Sequence, residues 1–332
     1  MLSNYLYNLC RLITSYFKYS DFKDSSSFSS FINFHIYENI ITKNEFYHIW
    51  NNKLHHNYNG FNFSYKYQIL EQYNNLLKVK LTILTSFFTN SSDKSIKSAS
   101  IDDYLIIIEC SKKSLYNTLV LISREENEFY YNKYALNNLA SISDLDCKTL
   151  ISNNTIWWKE KTKNITKLFD NFNKSIKKLS HDRSSSSKFN IKNACDYAEK
   201  FALIPNAEYK NFDDSGGDCT NFISQVLHAG GISLTTTWKP YTHSWLRVEE
   251  LYNYIVKNNL GRKLPDKSPY ETGSVIQFFT PKKGHYFHSG FITYVLPFNE
   301  ALYCCHSYNK LNYPLSQIYP VIYPVIRCIA LN

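Results

Sequence analysis

The sequence predicts an α+β protein. Leu77, Val79, Leu81 and Ile83 alternate with Lys78, Lys80 and Thr82, the period of two of a half-buried strand. Around Phe222, Ile223, Val226 and Leu227 the apolar residues instead recur at helical spacing. All nine prolines lie at or beyond Pro205, and eight of nine glycines at or beyond Gly216, so tight turns and irregular loops gather in the C-terminal part. A hydrophobic content of 44% in 332 residues excludes wholesale disorder and allows more than one core.

Residues 1–75 are aromatic, Asn-rich and free of proline. The spacing of Tyr5, Leu9, Leu12, Ile13 and Phe17 predicts a helical N-terminal segment. Strand patterns follow at 77–83, YLIIIEC (104–110), LYNTLVLIS (115–123) and EFYYNKYAL (128–136), joined by the polar connectors SKKS and REEN. ITKLFDNFNKSIKKL (165–179) returns to a helical period, so 76–180 reads as an α+β accessory module built on an antiparallel meander. HDRSSSSK (181–188) has the composition of a linker, and residues 189–332 form a further domain. His35, His48, His55 and His56 share no ligand spacing and read as surface or core residues.

Residues 1–188 carry 24 Lys and Arg against 17 Asp and Glu, and residues 189–332 carry 13 against 11. The basic N-terminal part suits contact with an anionic surface, although its lysines are spread among Asn, Ser and Tyr as in an ordinary solvated face. No Arg-rich stripe points to nucleic acid. No stretch nears the roughly 18 consecutive apolar residues of a membrane span. The first base, Arg11, follows rather than precedes the apolar N-terminal run, against signal-peptide order. A cytoplasmic protein is the default expectation, or one released by lysis or a non-classical route. Eight cysteines, with Cys304 and Cys305 adjacent, are read as reduced thiols.

Chemistry concentrates in residues 190–232. Ala194, Tyr197, Ala198 and Phe201 predict a helix stopped by Pro205, and a second helix follows NFDDSGGD and ends at Gly230–Gly231. Cys219 stands at the entrance of that second helix, where first-turn N–H groups and the helix dipole favour thiolate and predict a lowered pKa. Its own N–H suits a developing oxyanion. Cys10, Cys110, Cys147, Cys195 and Cys328 read as inert thiols. Asp218 and Asn221 are expected to cap the helix.

GSVIQFF (273–279), YFHSGFITYV (286–295) and NEALYCCH (299–306) predict three strands. His288 and His306 each lie nine positions from Pro297, so a hairpin centred there sets them opposite one another, one to meet the thiol and one to orient it. His285, after PKKG, is placed in a loop as a rival base. His285 and His288 with Cys304, Cys305 and His306 also have zinc-ligand chemistry, but paired CxxC spacing is absent. No metal or other cofactor is expected.

The segments NACDYAEKFA, PNAEYKNFDDSGGDCTNFISQVLHAGGI, SWLRVEELYNYI, GSVIQFF, HSGFITYV and CCHSYNKLNYPLS together resemble the bacterial putative amidase domain. That family is similar to the NlpC-type and CHAP-type cell-wall hydrolases of the papain-like superfamily. The resemblance spans about residues 190–320. It implies a nucleophile helix packed on an antiparallel sheet that carries the histidine. It makes Cys219 the nucleophile, His288 the general base and acid, and His306 the third polar residue. Gly273-Ser274 stands where the family has Gly-Asp, and Cys304–Cys305 replaces more ordinary polar residues.

Trp238, Tyr241 and Trp245 are candidates to line a peptide or glycopeptide cleft, with core packing the competing role. Tyr197 or Tyr209 is a candidate second oxyanion donor, again with packing in competition. Three functions follow: a cysteine amidase or peptidase, with peptidoglycan stem peptides as substrate class; a transamidase using the same thioester; and a non-catalytic binding module.

Overall fold

The computed structural model describes residues 1–17, 32–56, 58–90, 95–111, 115–127, 139–141, 144–173, 189–266, 269–297 and 300–332. The expected strand at 128–136, the end of the 165–179 helix, the linker 181–188, the Cys147 side chain and Phe298 lie outside the described residues. The chain is mixed α+β, with antiparallel strands and several helices, and groups into two compact units. One takes residues 1–88 and 101–169; the other takes 89–100 and 170–332.

In the first unit, helices α1 (Leu2–Ile13) and α2 (Phe34–Lys53) precede strands β1 (Tyr58–Tyr73), β2 (Leu76–Asn90), β3 (Ser95–Cys110) and β4 (Tyr116–Ser123). β3 runs between β2 and β4, with β1 on the far side of β2. The alternation read in β2 holds: Leu77, Val79, Leu81 and Ile83 enter one core with Leu6, Leu9, Ile36, Ile40 and Ile106. The polar positions between them meet partners on neighbouring strands. Lys78 reaches Glu71, Lys80 reaches Asp103 at 3.1 Å, and Thr82 Oγ1 donates to Asp103 at 2.6 Å.

The helical expectation for residues 1–75 fails beyond α2, because 58–73 is a strand. Phe61, Phe63, Tyr65, Tyr67 and Ile69 recur every second residue, a strand period that the aromatic, Asn-rich composition masks. Helices α3 (Asp144–Lys163) and α4 (Ile165–Asn173) follow, and Trp158 of α3 packs on Phe46 and Tyr47 of α2.

The second unit contains α5 (Ile191–Phe201), α6 (Cys219–Ala229), the single-turn α7 (His243–Leu246), α8 (Val248–Lys257), β5 (Gly261–Lys263), β6 (Val275–Thr280), β7 (His285–Leu296), β8 (Glu300–Cys305), β9 (Lys310–Pro314) and β10 (Val325–Leu331). Its strand order is β3-β9-β8-β7-β6-β10-β5, where β3 contributes residues 95–100. The pairings along this path are antiparallel.

Pairing fixes which side chains share a face. Val275 with Phe291 and Phe291 with Cys304 lie on the helix side, in one core with Ala194, Ala198, Phe222, Val226, Leu251 and Ile255. Phe278, Tyr303 and Tyr323 form an aromatic group with His288 on the other side. His285 is the first residue of β7, paired with Thr280, rather than a loop residue.

Leu81 is fully buried, whereas Leu84 on the same strand is over a third exposed. Leu81→Ala should lower stability by about 2–5 kcal/mol, and Leu84→Ala by less than about 0.5 kcal/mol, in equilibrium urea unfolding of the full chain. Equal losses would mean that the strand does not bury the face its alternation marks.

Candidate active site

Cys219 is the first residue of α6. The preceding loop reaches it through Gly216 and Gly217, with φ of 107° and 108°, a region that residues with a Cβ rarely adopt. A Cβ on Gly217 would also come within 3.2 Å of Ser307 Oγ, so the loop passes close to the turn after β8. The Cys219 sulfur lies 3.7 Å from Thr220 Oγ1, which is 3.3 Å from Ser289 Oγ. Backbone groups of Ser289 and Thr220 lie near enough to the sulfur to favour its thiolate.

The thiol pKa is pushed up from 9.0 to about 11, chiefly by burial and further by the Asp218 charge, against the Thr220 and Ser289 hydrogen bonds. The fall expected for a helix entrance is not realised. Two pKa units amount to about 2.7 kcal/mol against the thiolate, more than the roughly 0.3–1 kcal/mol of a helix terminus.

Asp218 caps nothing through its side chain. It is instead the hub of the loop. Its Oδ1 accepts the Phe212 N–H at 3.0 Å and Asn221 Nδ2 at 2.8 Å, while Oδ2 lies 2.6 Å from His306 Nδ1. Its own N–H donates to Ser307 Oγ at 2.7 Å. Asn221 Nδ2 also donates to Lys210 O, and its Oδ1 accepts from Trp245 Nε1 at 2.8 Å.

His288 and His306 are not opposed. Leu296 pairs with Glu300, which centres the turn one residue beyond Pro297, and a bulge at Thr293 shifts the register again, to Phe291 with Cys304. The Ser289 side chain therefore faces α6, while the His288 ring lies against Phe278, Tyr308 and Tyr323 at 5.1–6.4 Å between centroids. Its Nε2 is buried without a hydrogen-bond partner. Burial first, then the charges of Lys310 and Lys283, lower its pKa from 6.5 to about 3. His306 stacks on Phe222 at 4.0 Å and bonds through Nε2 to the Phe201 carbonyl at 2.7 Å, so both its nitrogens are engaged away from His288.

Trp238 and Trp245 are fully buried, 4.8 Å apart, and line no cleft; their indoles complete the core against Tyr254 and Tyr209. Tyr197 gives its hydroxyl to Gln225 and accepts from Asn206, so it is a strut rather than a free donor, and burial pushes it up to about 12. Tyr209 is half-buried against the same core. Tyr241 is exposed, with φ of 75°, and its hydroxyl accepts the Lys210 N–H.

The zinc-like set is not gathered. His285 is exposed and bonded to Lys283 O, Cys304 contacts Asn312, and Cys305 donates to Tyr308 O. Among the described residues no group of three or more His, Cys, Asp or Glu could hold a metal. The residues that sequence reasoning passed over are Thr220 and Ser307; Ser289 was legible as the small residue that the family pattern favours after His288. The one signal for Thr220 and Ser307 was adjacency to the expected catalytic residues.

Residues 188–324 match the family described as "Putative amidase domain". The chain is also 48% identical over 64 residues to the uncharacterized protein YjcM of Bacillus subtilis (strain 168), covering 19% of this chain and 15% of that one. It is 35% identical over 109 residues to the uncharacterized protein YhbB of the same organism, covering 29% and 34%. The chain thus spans well under half the length of either relative. No solved structure matches it.

The uncharged His288 makes a checkable contribution to stability. Between 6.5 and about 3 the unfolded imidazole binds a proton that the folded one does not, so stability falls as pH falls through that window, by up to about 1.4 kcal/mol per pH unit. His288→Gln should flatten the fall in urea midpoint over this range relative to the wild type. Parallel curves would show that the imidazole is not held neutral.

Proposed function

We propose that residues 188–324 form a cysteine amidohydrolase of papain-like type that cleaves peptide-type amides, with peptidoglycan stem peptides as the substrate class. The observation that carries this reading is the setting of the Cys219 sulfur. It sits at a helix entrance, linked through the Thr220 hydroxyl to Ser289, the residue that follows an imidazole with an unpartnered Nε2.

In the reaction the sulfur attacks the amide carbonyl as His288 Nε2 takes the thiol proton. The C–N bond then breaks, the same proton passes to the leaving amine, and an acyl-thioester remains on Cys219. Water gives a proton to His288 as it attacks the thioester, and the sulfur regains that proton as the carboxylic acid leaves. An amine in place of water makes the same intermediate a transamidase. Because thiol and imidazole are both neutral and lie on opposite faces of the sheet at rest, proton transfer requires the His288 ring to leave its aromatic cage and the start of β7 to turn it toward α6. Catalytic hydrogen bonds often tighten only once substrate is bound.

The same cage and the raised thiol favour a second reading, a binding module without turnover. Stem peptides incubated with the full chain separate the two. The hydrolase reading expects new amine and carboxyl ends by mass spectrometry, complete loss in Cys219→Ala, and a loss of about 10²–10⁴-fold in His288→Ala. Binding without new ends, or cleavage that survives Cys219→Ala, would overturn it. Added hydroxylamine captures the thioester as a hydroxamate.

A further inference from the structure

We propose that the turn His306–Ser307 positions the nucleophile, with His306 acting through Asp218 on Cys219 rather than on His288. Asp218 directly precedes Cys219 and is held from both ends of this turn, its carboxylate by His306 and its N–H by Ser307 Oγ. His306 is tied at both ring nitrogens, with Nε2 2.7 Å from the Phe201 carbonyl, which can only accept, and Nδ1 2.6 Å from Asp218 Oδ2. The His306 ring also stacks on Phe222, one turn into the helix that Cys219 begins.

Ser307 adopts φ of 72°, the left-handed region that a non-glycine residue enters at a cost. The strained position is the one whose hydroxyl accepts the Asp218 N–H, and Gly217 passes close enough that a Cβ there would meet the same oxygen at 3.2 Å. Stacking, a short side-chain contact and backbone strain thus converge on the residue before the thiol. They set the sulfur against Thr220 and, through it, Ser289.

This inference rests on Cys219 being the nucleophile, but its test reads only where the thiol is held. Each cysteine of the full chain is labelled with iodoacetamide at one fixed pH, and rates are read by peptide mapping. Ser307→Gly removes the hydroxyl while relieving the left-handed cost, so its thermal midpoint should hold or rise. Labelling at Cys219 should speed up about fivefold to tenfold, while the buried Cys10 and Cys304 keep their wild-type rates. Ser307→Ala should act on Cys219 in the same direction.

His306→Gln should do so more strongly; it can compromise folding, because it strips a buried carboxylate of a partner, and Ser307→Gly then decides alone. An unchanged Cys219 rate in Ser307→Gly overturns the proposal. So does a rise shared by Cys10 and Cys304, the mark of general loosening. Failure of stem-peptide cleavage, by contrast, overturns the hydrolase reading and leaves the labelling result standing.

Discussion

Everything around the thiol depends on satisfying one buried carboxylate. Asp218 is almost wholly inaccessible, and a buried charge without partners costs several kcal/mol. The loop from Lys210, the first turn of α6 and the turn after β8 each send it a donor. The loop and the turn after β8 have no regular backbone pairing of their own, so the carboxylate does for them what a hydrogen-bond ladder does for a strand. Asn221 extends the arrangement inward, joining Asp218 to the Trp245 indole and hence to the aromatic core.

The consequence for reactivity runs against the simplest reading of a cysteine at a helix entrance. Dipole and N–H groups favour thiolate, but they act on a sulfur that the same packing has removed from water. Burial wins, and the imidazole on the far face of the sheet is held neutral for the same reason. The resting second unit therefore holds an uncharged thiol and an uncharged imidazole rather than an ion pair.

Much of this was legible in the residues. The alternation in β2, the helix beginning at Cys219 and the three C-terminal strands follow from local period and turn chemistry. The strand at 58–73 was hidden because its apolar positions are aromatic and its polar ones Asn, Ser and Lys, a mixture that composition alone does not resolve. Register was not legible. One bulged residue, Thr293, decides which face each histidine takes, and nothing local in FITYV announces it. The burial of Trp238 and Trp245 was equally out of reach, since an indole suits a cleft wall and a core alike.

The stretch that matches a family and the stretch that folds together are not the same length. The match begins at residue 188, yet the compact unit containing it recruits residues 89–100. Ala99 and Ser100 pair with Leu311 and Lys310, and Ser98 Oγ bonds to Asn312 O. A gene fragment beginning at the family boundary would inherit Cys219 and both histidines but not the strand that pairs with β9. Recombination of that fragment into another protein would move a sheet with one raw edge. During synthesis, too, this unit closes only by reaching back to chain made long before its own helices, the kind of distant pairing that slows folding.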